Sequence, residues 1–200
     1  MKAPKAMLAL TLSIVLLSTG CTAQWIAIAL ADLPVLTQMA LNIGTIVATL
    51  QSGKQISPQD AAAIQNISAE ASKDLNLLAA LYDDYKTNPS AGALAKIQSV
   101  IRDISGNLPA LLQAAHIGDP VLSARVAAAI NLILTTVSSF AQLIPVGSSA
   151  TQRAVTMKRT IFLQQRPALP SPAQLRQQWN QQVCGANSEL DFSSAGCTVN

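Results

Sequence analysis

The chain has 200 residues, half of them hydrophobic, 12% charged and 4% aromatic, with a formal net charge of +3. That charge is too scattered and the aromatics too few for a nucleic-acid face, which needs clustered Lys and Arg with stacking rings. Abundant Ala and Leu favour helix and argue against a β-sandwich. The charge also divides along the chain. Between residues 22 and 148 acids outnumber bases eight to six, and from 149 onward bases outnumber acids five to two.

At the N-terminus, Lys2 and Lys5 precede an apolar run from Ala6 to Leu17, which gives way to Ser18-Thr19-Gly20-Cys21. A basic start, a short apolar run and a small-residue exit describe a secretory signal peptide; a spanning helix would need about 20 apolar residues. Leu16-Leu17-Ser18-Thr19-Gly20-Cys21 resembles the lipobox of bacterial lipoproteins, with Ser18 where that family usually has Leu and Leu17 one place earlier. The resemblance implies a signal peptide of residues 1–21 and a lipidated Cys21 as first residue of the mature chain. It also implies export to the bacterial cell envelope, with the protein membrane-anchored and facing the periplasm or the exterior. Two other endings remain open: cleavage after Ala23, with Cys21 and Ala23 as the small residues of an A-x-A-like site, and an uncleaved anchor.

Four helical segments follow, predicting an all-α, up-and-down four-helix bundle over residues 22–148. The first starts near Asp32 as N-cap with Pro34 in the first turn, repeats Leu33, Leu36, Ala40, Ile43, Val47 and Leu50 on one stripe, and ends at Gly53. Trp25 to Ala31, just ahead, either extend this helix or lie against a membrane. The second is capped by Ser57, with Pro58 at the first helical position and Asp60 three after the cap, and runs to Thr87. Its expected stripe is Ile64, Ile67, Ala71, Leu75, Leu78, Leu81 or Tyr82, and Tyr85.

The third reads from Pro89 or Ser90 through Ile104, breaks at Gly106-Asn107-Leu108-Pro109, and resumes from Pro109 to His116, with Gly118 ending it. The fourth is capped by Asp119 ahead of Pro120, buries Leu122, Val126, Ile130, Ile133, Val137 and Phe140, and ends at Pro145. A faint echo, Leu33-Pro34-x-Leu36-x-Gln38-x-Ala40 against Leu108-Pro109-x-Leu111-x-Gln113-x-Ala115, raises a duplicated hairpin or chance in Ala-rich helices.

Residues 149–200 read as a mostly irregular C-terminal extension. Val155 to Gln164 suits a short helix or strand, and Arg166 to Pro172 a linker or strap. One short helix runs from Ala173 to Val183, capped at Ser171-Pro172, with Leu175, Trp179 and Val183 on one face and Trp179 as a packing anchor. In an oxidising compartment the two cysteines left after Cys21, Cys184 and Cys197, are expected to form a disulfide, with no His or third Cys nearby to make a metal site.

Chemistry-bearing patterns are scarce. The single histidine, His116, has no G-x-S-x-G elbow to serve and reads as a donor at a helix end. Glu70 and Glu189 lack a His three residues on, so no di-iron bundle motif is present, and no Cys-x-x-Cys-His offers covalent haem. Tyr82-Asp83-Asp84-Tyr85-Lys86, with Glu70 and Asp74 upstream, is the densest polar run. It reads as a solvated face whose tyrosines seal the core edge rather than as a cation or acid–base site.

No catalytic residue, cofactor or metal is expected, and no nucleic acid. The expected partners are a membrane, through the anchor at Cys21, and an unidentified protein or small apolar ligand. Residues 33–51 and 126–147 hold no charge, which keeps a membrane-inserting or pore-type protein as the alternative and an enzyme as the second.

Overall fold

In the computed structural model the described residues are 24–46, 56–144 and 169–184. The signal segment with Cys21, Gly53, Pro145, the 155–164 stretch and Cys197 lie outside them. Five α-helices appear: α1 (Gln24–Ile46), α2 (Pro58–Thr87), α3 (Ala91–Ala115), α4 (Pro120–Leu143) and α5 (Pro172–Trp179), the last running into a π-helical turn, Asn180–Cys184. The first four pack against each other as an up-and-down bundle, and no strand is found among the described residues.

Four helices begin where side-chain oxygens meet otherwise unpaired backbone N–H groups, α3 through the Ser90 hydroxyl, which accepts from the Ala93 N–H at 3.1 Å. The Ser57 hydroxyl accepts from the Asp60 N–H at 3.0 Å. Asp119 accepts from Val121 and Leu122 at 2.8 and 2.9 Å. Ser171 and Gln174 bond reciprocally at the head of α5. Asp60 reaches further: its carboxylate also accepts from the Gly118 N–H at 3.3 Å, tying the start of α2 to the α3–α4 turn. That turn leaves α3 through His116 in the left-handed region, φ 44°, a conformation His adopts more readily than most residues.

Two expectations are corrected, both involving proline. Asp32 does not cap α1, which begins eight residues earlier at Gln24 and carries Pro34 in its interior. Trp25, Ile26 and Ala29 are buried ahead of it, so the apolar stripe of 33–46 continues upstream and outweighs the hydrogen bond Pro34 forfeits. Likewise α3 does not break at Gly106–Pro109. It runs unbroken from Ala91 to Ala115 with Pro109 inside. Ile104 and Leu108 are fully buried, whereas Ser105, Gly106 and Asn107 are exposed. The carbonyl that loses its partner, that of Ser105, therefore sits on the solvent side where water can satisfy it.

The core gathers the expected stripes: Leu33, Leu36, Ala40 and Ile43 of α1; Ile64, Ile67, Ala71, Leu75, Leu78 and Tyr82 of α2; Ile97, Ile101, Ile104 and Leu108 of α3; and all six named residues of α4. Leu175, Trp179 and Val183 join it, so the short C-terminal helix and its π turn are docked on α4. Between α1 and α2 the approach is close. The Ser68 hydroxyl donates to the Ala40 carbonyl at 2.7 Å, and a Cβ at Gly44 would sit 3.0 Å from Ser68 Oγ.

Ser68→Ala is expected to lower unfolding stability by about 1 kcal/mol, the usual size of one buried hydrogen bond. Ser68→Leu should cost about 1–3 kcal/mol through overpacking against Gly44. Urea denaturation of the two variants beside the parent checks both.

Candidate functional site

Where α1 begins and α2 ends, four aromatic rings meet. Trp25 stands edge-on to Tyr82 with centroids 5.5 Å apart, tilts against Tyr85 at 5.7 Å, and Tyr82 meets Phe140 edge-on at 6.3 Å. Such offset and edge contacts are the favoured geometries for aromatic pairs. Tyr82 is the residue of the Leu81/Tyr82 pair that turns inward, and it is fully buried. Burial pushes its phenol well above the ordinary tyrosine range. It is thus a neutral core residue and no acid–base group.

The interior also holds polar atoms with no hydrogen-bond partner in the protein: Trp25 Nε1, Asp32 Oδ2, Tyr82 Oη and Trp179 Nε1. Asp32 stands out because a carboxylate is the costliest of these to bury. It is 1% exposed, and burial raises its pKa to about 6. Neither the Asp32 orphan nor the Tyr82 one was visible in the sequence, where Asp32 mimics a helix cap. The only clue was the uncharged run that follows it.

The remaining candidates stay apart. Asp83 and Asp84 are exposed on the outer side of α2, flanking the buried Tyr82. Glu70 pairs with Lys73 at 3.0 Å on the surface, an arrangement that contributes little to stability. Asp74 is half-buried, and its pKa is raised by burial first and then by Glu70, with Asp103 of α3 adding to the effect. His116 is exposed in the α3–α4 turn, at the opposite end of the bundle from the aromatic cluster. No group of three or more His, Cys, Asp or Glu suited to a metal ion occurs among the described residues. Cys184, which closes the π turn, is buried beside Val183.

No family model matches this chain, and no curated protein or solved structure matches it either. By length and composition α1 and α4 are each apolar enough to cross a membrane, and about half of each such stretch is buried inside the bundle.

Tyr82→Phe removes an unpartnered hydroxyl from the core and is expected to leave stability unchanged or slightly raised. Tyr82→Ala should cost about 3 kcal/mol or more through the cavity it opens beside Trp25 and Phe140. Paired thermal melts distinguish these outcomes.

Proposed function

We propose that the chain is an exported bacterial lipoprotein, held at a membrane surface through acyl chains on Cys21, with a non-enzymatic structural or binding role. The observation that carries this reading is the opening segment: Lys2 and Lys5, the apolar run to Leu17, and the lipobox-like Leu16–Cys21. Two acyl chains give stable anchoring where one is marginal. The helical bundle behind the anchor starts at Gln24, so the tether would hold the protein by the aromatic end, where Trp25 meets Tyr82 and Tyr85. The scattered placement of His116, Glu70, Asp74 and Asp83 offers no assembled nucleophile and base, which supports a binding or structural role over an enzymatic one.

The same compartment favours a Cys184–Cys197 disulfide. It would close a loop of about 14 residues, worth roughly 3 kcal/mol on chain-entropy grounds, and would fasten the end of the chain to a turn already docked on α4.

A second reading, a protein whose helices insert into the bilayer, draws on one observation. Asp32 is the single charged residue of α1, and Arg125 that of α4. Fully buried core helices meet the same criterion, and the inward stripes of both helices are used up by the bundle.

Metabolic labelling with palmitate is expected to mark the parent protein and to miss Cys21→Ala, and a chain beginning at Gln24 should stay soluble without detergent. Equal labelling of the variant would overturn the lipoprotein reading. Detergent dependence of the chain beginning at Gln24 would favour insertion instead. The intact mass before and after reduction, following alkylation, should differ by the two alkyl groups that an opened Cys184–Cys197 bridge admits.

A further inference from the structure

We propose that Asp32 is a proton latch on α1: with the carboxyl protonated the helix seats fully against its neighbours, and loss of the proton draws the helix toward water and loosens the Trp25 contact. The geometry comes first. Asp32 lies on the inward face of α1, between Ala29 and Leu33, both fully buried, and is itself 1% exposed. Its Oδ2 has no hydrogen-bond partner. Two anchor points flank it along the α1–α2 contact, the Trp25–Tyr82 ring pair and the Ser68–Ala40 hydrogen bond. Pro34, two residues on, has no N–H to offer the Leu30 carbonyl and so removes one rung of the α1 ladder beside Asp32.

Among the described residues no countercharge reaches the carboxyl. On α1 there is no other charged residue. On α2 the inward-facing titratable groups are Tyr82, whose phenol stays neutral, and Tyr85, packed on Trp25, while Asp74 interacts with Glu70, Lys73 and Asp103 rather than with Asp32. Lys96, Arg102 and Asp103 of α3, Arg125 of α4 and Arg176 of α5 do not enter either, since burial is the sole cause of the shift at Asp32.

The sign follows. The carboxyl titrates near 3.8 when free and about 6 when folded. The fold therefore prefers the protonated form. The stabilisation from Asp32 is complete below about pH 4 and is lost as pH rises through 6. At neutral pH an unpaired carboxylate is held in an apolar interior, and local opening of α1 relieves it.

The test compares the full chain with Asp32→Asn and with Asp74→Asn, at pH 4.5 and 7.5 and matched ionic strength. The parent is expected to melt roughly 5 °C or more lower at pH 7.5; Asp74→Asn keeps most of that drop and Asp32→Asn loses most of it, the remainder belonging to Asp74, whose carboxyl pKa burial also raises. Acrylamide quenching of tryptophan emission at 20 °C should rise with pH in the parent and stay level in Asp32→Asn. Asp32→Ser serves the same comparison if the amide is not accommodated. A pH effect of equal size in the Asp32 variants, its disappearance in Asp74→Asn, or no pH effect in the parent would each overturn the latch.

Discussion

Everything in this bundle depends on seating α1, a 23-residue helix with one charged side chain, against α2. Exposed to water, its apolar side chains would drive aggregation or membrane partition. Buried, they supply much of the core. The two helices are brought close by small groups in the middle, Gly44 and Ser68, and by large ones at the end, Trp25 with Tyr82 and Tyr85. Small residues let the backbones approach until the Ser68 hydroxyl reaches the Ala40 carbonyl, and the rings fill the wider gap at the other end. The close point fixes the register, and the aromatic end adds the large buried rings of Trp25 and Tyr82.

What the sequence made legible was local. Ser57, Asp119 and Ser171 announce helix starts because a cap is a contact between residues two or three apart, and each forms the hydrogen bond its position implies. The stripes of α2, α3 and α4 were legible for a similar reason, since a 3.6-residue period specifies a face without specifying its partner. Trp179 read as an anchor because Leu175 and Val183 stand one turn to either side, and all three are buried.

The prolines show where local reasoning stops. Pro34 and Pro109 both carry strong boundary signals, and both lie inside helices. A mid-helix proline costs about 3 kcal/mol. Burial of apolar side chains on either side, at about 1.5–3 kcal/mol each for large ones, exceeds that readily. Leu33 and Leu36 flank Pro34, and Leu108 precedes Pro109, all fully buried. The shared Leu-Pro pattern thus marks two helices that keep a leucine in the core, with the adjoining proline exposed at Pro34 and half-buried at Pro109, a pairing that no propensity scale contains. Asp32 was misread by the same route. Asp two residues before a proline looks like a cap until the helix is seen to start two turns earlier.

The charges of the four long helices are divided just as unevenly. α2 carries Asp60, Glu70, Lys73, Asp74, Asp83, Asp84 and Lys86, and α3 carries Lys96, Arg102 and Asp103, against one charge each on α1 and α4. Among the described residues the charged surface therefore lies mainly on the α2–α3 hairpin, while the exposed positions of α1 and α4 are mainly Ala, Ser, Thr, Asn and Gln such as Ala27, Ala31, Gln38, Asn131, Thr135 and Ser138. Uncharged polar residues cost far less than charges at a membrane surface or a protein interface, where each buried charge would need a partner. This division leaves the α1 and α4 sides free of long-range electrostatic bias. Any contact made on those sides would rest on shape and hydrogen bonding more than on charge.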